Sequence, residues 1–246
     1  MTFPITGTLI NVATVIIGWA VGTLLGNRLP EKMRQTVLHG LGLMTLTIGV
    51  TMAIKTQNAL IPLFSVLIGG ILGEALGIEA ALERLGRWAE RRMGGIAGSG
   101  DSGPTVAQGF ITASLVFCVG PMTVLGSIQD GLMGDYTLLA IKALMDGFAG
   151  MALAASLGGG VILSAATILV YQGGLSLLAL ASGAALGGVT AATPWVIEMT
   201  AVGGVVILSI AFILLDIKRI RAANLLPAIF VAPVMVLILE RLGIGL

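Results

Sequence analysis

Apolar residues along this chain come in long runs, with neither the two-residue alternation of a half-buried strand nor the narrow stripe of a soluble helix. Eight runs of spanning length can be drawn, at 7–26, 36–54, 59–77, 108–130, 136–156, 160–182, 195–216 and 223–242. Each is close to the roughly 20 residues that a helix needs to cross a hydrocarbon core. The pattern predicts an all-α, polytopic membrane helix bundle of about eight transmembrane helices, one integral membrane domain over 1–246. Cutting 136–182 differently gives seven. The opening MTFPITGTLI has no positive n-region and no A-x-A-like site after it, so it reads as the first span and not as a signal peptide.

Charge supports the larger count. Only 10% of the 246 residues are charged and 57% are hydrophobic, against about 25% charged in soluble domains. Lys and Arg gather at Arg28, Lys32, Arg34; at Arg84, Arg87, Arg91, Arg92; and at Lys218, Arg219, Arg221. With eight spans all three clusters share one side, leaving Lys55 and Arg241 opposite and Lys142 inside a span. With seven, the last cluster changes sides. The positive-inside rule therefore predicts eight spans, both termini outside, and those three loops cytoplasmic. A net charge of +1 argues against nucleic acid as a partner. One cysteine, Cys118, and one histidine, His39, exclude an internal disulfide and argue against a zinc or His-based catalytic site. No cofactor, no metal and no enzymatic activity are expected.

Between spans 3 and 4, Ile78, Leu82, Leu85 and Trp88 recur at helical spacing with Arg and Glu on the other face. That predicts an amphipathic helix on the cytoplasmic membrane surface, followed by a flexible Gly/Ser linker, together 78–104. Glycines four apart, Gly18, Gly22, Gly26 and Gly69, Gly73, Gly77, predict close backbone packing in lipid. A weak repeat relates 58–77 to 224–243, matching Asn58 with Asn224, Phe64 with Phe230, Glu74 with Glu240, Leu76 with Leu242 and Gly77 with Gly243. The copies would run in opposite directions, as inverted repeats of secondary transporters do, with spans 1–3 and 6–8 as related bundles.

Three spans carry polar chemistry at depth. In span 4, FCVGPMTVLGSIQDG puts Gly120-Pro121 near the midplane. Proline removes a backbone donor, so carbonyls near Phe117 lose partners and must be satisfied by protein, water or ligand. Thr123, Ser127 and Asp130 follow on roughly one face, with Gln129 beside them. Span 6 has Tyr171-Gln172-Gly173-Gly174 at its centre, read as a second interruption with an amide and a phenol alongside. Span 5 carries Lys142 and Asp146, four apart on one face. A charge at that depth costs at least about 2.5–3.5 kcal/mol, so the two are paired or functional. Asp146 is the candidate coupling site for Na⁺ or H⁺, with Lys142 as its internal competitor. Gly120, Pro121, Thr123, Ser127, Gln129, Asp130, Tyr171 and Gln172 are the candidate solute-binding residues. Asn11, Glu74 and Glu198 rank lower, as an interhelical hydrogen bond, a group reaching water, and an entrance or helix-dipole carboxylate.

At FCVGPMTVLGSIQDGL, with ILVYQGGLSLLA, EMTAVGG and the late NLLPAIF, the chain resembles the bacterial membrane-protein family designated domain of unknown function 554. The resemblance covers essentially the whole chain and implies a multi-span inner-membrane protein, described as a transporter without an established substrate. It supplies no functional residues. The leading expectation is a secondary, ion-coupled transporter of a small polar solute or ion, with its site between interrupted helices 4 and 6 and helix 5. The alternatives are an ion channel, which lacks a filter-like motif, and a non-transporting assembly or structural protein. Partners are the lipid bilayer and the solute, and self-association is compatible with the sequence.

Overall fold

The structure, a computed structural model, describes residues 4–26, 30–92, 105–182 and 188–243. The linker at 93–104 and Arg28 lie outside the described residues. Among the described residues there are ten α-helices and no strand: α1 (Thr6–Gly26), α2 (Glu31–Ala53), α3 (Leu60–Leu76), α4 (Ile78–Arg92), α5 (Val106–Cys118), α6 (Pro121–Met133), α7 (Thr137–Leu157), α8 (Ser164–Ser182), α9 (Pro194–Leu214) and α10 (Pro227–Arg241). Large apolar side chains such as Ile17, Leu24, Leu67, Ile71, Phe148 and Val170 are exposed, while Asn11, Asp130, Asp146, Gln172 and Glu198 are buried. Apolar outside and polar inside is the distribution that a bilayer rewards.

Among the described residues, five helical segments are long and apolar enough to cross a membrane, at 6–26, 35–53, 137–182, 194–214 and 222–241. Two bent pairs, α3 with the start of α4 (52°) and α5 with α6 (62°), bring the number to seven if each pair is one span. The chain is thus a multi-span membrane protein. The 46-residue segment 137–182 is not straight. Leu139 packs at Gly7 and Gly126, Leu157 and Gly160 pack at the other end by Gly109 and Val106, and Ser176 returns to Gly131. The reversal falls in the 3₁₀ segment Gly158–Leu163, where Gly158 takes φ +78°, a conformation that favours glycine. So 137–182 is a hairpin of two helices.

The chain divides into two compact units. The first comprises Met1–Leu38, Glu83–Cys118 and Met122–Val189, and the second His39–Leu82, Val119–Pro121 and Thr190–Leu246. In the first, α1 runs parallel to α7: a Cβ at Gly18, Gly22 or Gly26 would land on the backbone of Gly147, Met151 or Ala155 in turn. The glycine stripe therefore is the contact surface, as expected. The α5–α6 pair runs parallel to α8, through Ser114 Oγ and Thr167 Oγ1 at 3.0 Å and Gly131 against Ser176.

In the second unit α3 and α10 cross antiparallel, with Gly69 against Ala228 and Gly73 against Asn224. Gly77 is no part of that interface. It ends α3 at φ +61°, and its repeat mate Gly243 follows α10 at φ +70°. Phe64 and Phe230 are both exposed, so the two copies agree in local structure and oppose in direction. Helices α1 and α8 share one unit, and α3 and α10 the other, so 1–3 and 6–8 do not form separate bundles.

Helix α4 forms at the predicted place, with Leu85 and Trp88 exposed. Its start is held by an interlock in which Asn224 Oδ1 accepts from the Glu79 N–H (2.8 Å) and Glu79 Oε2 accepts from the Ala223 N–H (3.0 Å). Glu74 reaches water and also binds Arg221 Nη1 (2.5 Å) and Asn224 Nδ2 (2.7 Å).

Candidate functional site

The polar residues of the first unit converge on the first two turns of α1. Lys142 and Asp146, one turn apart on α7, form an ion pair, 7% and 8% exposed. Asn11 of α1 donates through Nδ2 to Asp146 Oδ2 at 2.9 Å and to Gln172 Oε1 of α8 at 3.0 Å. Gln172 in turn donates through Nε2 to Thr8 Oγ1 at 3.2 Å.

The polarity of this chain is dictated from one end. An ionised carboxylate only accepts, so Asn11 must present its NH₂. Gln172 must then present its carbonyl to Asn11, and its own NH₂ is left for Thr8. Asn11 Oδ1 is buried with no hydrogen-bond partner. Such an orphan acceptor is costly, and it is the group toward which a neutralised Asp146 would donate.

One turn nearer the start of α1, the Gly7 N–H donates to Asp130 Oδ2 of α6 at 3.1 Å. Gly7 lies in the first turn of α1, where amides have no intrahelical acceptor, and the helix dipole favours an anion there. Three helices, α6, α7 and α8, thus contribute ionisable or amide groups around α1, and α1 itself touches two carboxylates. Among the described residues no group of three or more His, Cys, Asp or Glu could hold a metal ion.

The sequence matches the family model "Protein of unknown function (DUF554)" over residues 6–237. The chain belongs to this family. It is similar to the uncharacterized membrane protein YdfK of Bacillus subtilis (strain 168), 26% identical over 243 residues, covering 97% of this chain and 98% of the relative. It is also similar to the uncharacterized protein YqgA of Escherichia coli (strain K12), 28% identical over 233 residues, covering 92% and 94%. No solved structure matches.

In this DUF554 chain the break in span 4 is real. Helix α5 ends at Cys118 and α6 begins at Pro121, with Gly120 at φ +157°. As expected, the break strands the Phe117 carbonyl, and Thr123 Oγ1 supplies it at 3.2 Å. Thr123 is therefore engaged in healing the backbone. Gly120 and Pro121 fall in the second unit and Ser127, Asp130, Tyr171 and Gln172 in the first.

The interruption expected in helix 6 is not there. Helix α8 runs unbroken from Ser164 to Ser182 through Gly173-Gly174. Two glycines cost roughly 1 kcal/mol each relative to Ala, but unpaired backbone in hydrocarbon costs several, so the helix closes. Ser176 Oγ also bonds back to the Gln172 carbonyl at 3.2 Å. The real irregularity of this span lies at its entrance, Gly158–Leu163.

Gln172 is fully buried and central, whereas Tyr171, half-buried, points about 100° away around the helix. Gln129 is half-buried beside the Ser127–Asp130 face. Asn11, ranked low from sequence, is the hub. A lone Asn in an apolar span is legible as an interhelical donor, and its two partners, 135 and 161 residues away, are not. Glu198 is buried and accepts from Thr56 Oγ1 (2.6 Å), the Gln57 N–H (2.7 Å) and the Asn58 N–H (3.3 Å). It fixes the turn between α2 and α3, a different role from the entrance or dipole residue expected.

Proposed function

We propose that the protein is a secondary transporter of a small polar solute or ion, crossing the inner membrane eight times with both termini outside. Asp146 is its coupling carboxylate for Na⁺ or H⁺, and Lys142 holds the site when the ion is absent. The observation that carries this reading is the buried Lys142–Asp146 pair relayed through Asn11 to Gln172. A purely structural ion pair needs only its two members. Here the carboxylate also sets the orientation of an amide chain that reaches another helix. Protonation of Asp146 removes the reason for Asn11 to face it with NH₂, and Na⁺ in the place of the Lys142 ammonium offers an amide oxygen a cation to coordinate. In either case the orphan Asn11 Oδ1 gains a partner, and Gln172 must reorient. Ion occupancy on α7 is thereby read on α8.

Eight crossings are supported by counting the hairpin 137–182 twice and α3 as a span with α4 lying on the surface. The parallel pairing of α1 with α7 and the antiparallel pairing of α3 with α10 agree with that order. The test is reconstitution of the purified protein in liposomes under an imposed Na⁺ or proton gradient, with candidate polar solutes supplied in turn. Gradient-driven uptake that Asp146→Asn abolishes supports the reading. Downhill flux with no dependence on either gradient would instead indicate a channel.

A further inference from the structure

Asp130 is used by the relay only indirectly, and its surroundings are unusual for a carboxylate. It is 0% exposed, Oδ2 has the Gly7 N–H, and Oδ1 has no hydrogen-bond partner. Ser127, one turn earlier on the same face of α6, is also 0% exposed, and its Oγ has no partner either. One amide does not neutralise a full charge removed from water. No Lys or Arg occurs in α1, α6 or α8, and Lys142 of α7 is taken by Asp146.

We infer that Asp130 and Ser127 form a second binding site for a small cation, Na⁺ or H⁺, at the N-terminal end of α1. The donor set is oxygen only, a carboxylate and a hydroxyl, which suits a hard cation or a proton and disfavours transition metals. A cation held between these two side chains, one turn apart on α6, would give each orphan oxygen a partner. The other titratable groups of the packed elements are Asp135 and Tyr136 in the loop to α7, Lys142 and Asp146 on α7, Tyr171 on α8 and Cys118 on α5; α1 contributes none.

Access is short, because Asp130 lies three residues before the end of α6. Just beyond it Asp135 is exposed, and hydrogen bonds from the Thr137 hydroxyl and N–H hold its carboxyl below the usual range. It stays ionised and raises the local cation concentration beside that end of α6. The site deepens the transport reading, since Gly7 and Asn11 are one turn apart on α1. Occupancy at Asp130 changes the grip on the helix that binds Asp146.

The experiment measures binding alone, so it stands or falls separately from flux. Purified full-length protein in lipid nanodiscs is followed by thermal unfolding in NaCl against choline chloride at several pH values, and by ²²Na⁺ binding. A bound cation raises stability with its concentration. Na⁺-dependent stabilisation identifies the sodium arm, and stabilisation by lower pH in choline alone identifies the proton arm. Ser127→Ala leaves the Gly7 contact intact and is expected to weaken the cation dependence about tenfold or more. Asp130→Asn is expected to abolish it, and the Lys142→Met/Asp146→Asn double variant to retain it. If Asp130→Asn does not fold, Ser127→Ala decides. A response unchanged in Ser127→Ala and Asp130→Asn, a response lost only in the double variant, or no response to Na⁺ or pH in the natural protein would each overturn the inference.

Discussion

Replacing Asn11 probes the relay at its hub. Leucine there has the same branched heavy-atom skeleton and removes two interhelical hydrogen bonds, at 2.9 Å to the Asp146 carboxylate and 3.0 Å to Gln172 Oε1. Interhelical bonds in membranes average about 0.6 kcal/mol with a maximum near 1.7, and a bond to a charged group reaches about 1.5–3. Asn11→Leu should therefore cost about 2–4 kcal/mol, or roughly 30- to 900-fold in the folding equilibrium. Asn11→Asp keeps the shape but swaps donors for acceptors. Two like charges about 4 Å apart repel by about 4 kcal/mol at an effective dielectric of 20. It should be worse than Asn11→Leu at neutral pH, although it is the more conservative change in shape. Reversible unfolding in mixed micelles, read by tryptophan fluorescence, gives both values. Equal stability of Asn11→Asp and the natural protein would refute the assigned donor direction and with it the relay.

Other expectations are more local. Thr123→Val strands the buried Phe117 carbonyl and should cost about 1–3 kcal/mol in the same assay, whereas Thr123→Ser should cost less than half as much. Gly73→Leu drives a side chain into the Asn224 backbone and should cost at least the 1–3 kcal/mol of overpacking; loss of folded protein on size-exclusion chromatography is the readout, with Gly40→Leu, where a Cβ meets nothing within 4 Å, as the tolerated control. Single cysteines at positions 100 and 220 should be labelled only from the cytoplasm, and those at 58 and 190 only from outside. Position 220 labelled from outside would remove the eight-crossing topology.

Some of this was legible in the sequence because the signal was local. Gly120-Pro121 breaks a helix by covalent structure, and Lys142 and Asp146 meet because four residues make one turn. The glycine stripe of α1 predicted a close partner for the same reason. Nothing in the sequence indicated which helix that partner was. The span at 160–182 misled because glycine propensity is a small local term, and the need to pair backbone groups in lipid overrides it. The reversal at Gly158 falls where the runs 136–156 and 160–182 were separated, because a 46-residue apolar segment is too long for one crossing. Glu198 and Asn11 take their meaning from partners more than 130 residues away, which no local pattern encodes.

In the proposed mechanism the Asp146 charge does more than hold α7 in place. Breaking a buried pair by removing one partner costs about 3–5 kcal/mol, and removing both recovers much of that. The decisive measurement is therefore gradient-driven flux in proteoliposomes of the Lys142→Met/Asp146→Asn double variant, after its stability has been checked against each single variant. The double variant should fold, be more stable than either single variant, and carry flux that no longer responds to a Na⁺ or proton gradient. Full flux with the same ion dependence as the natural protein would contradict the coupling role of Asp146.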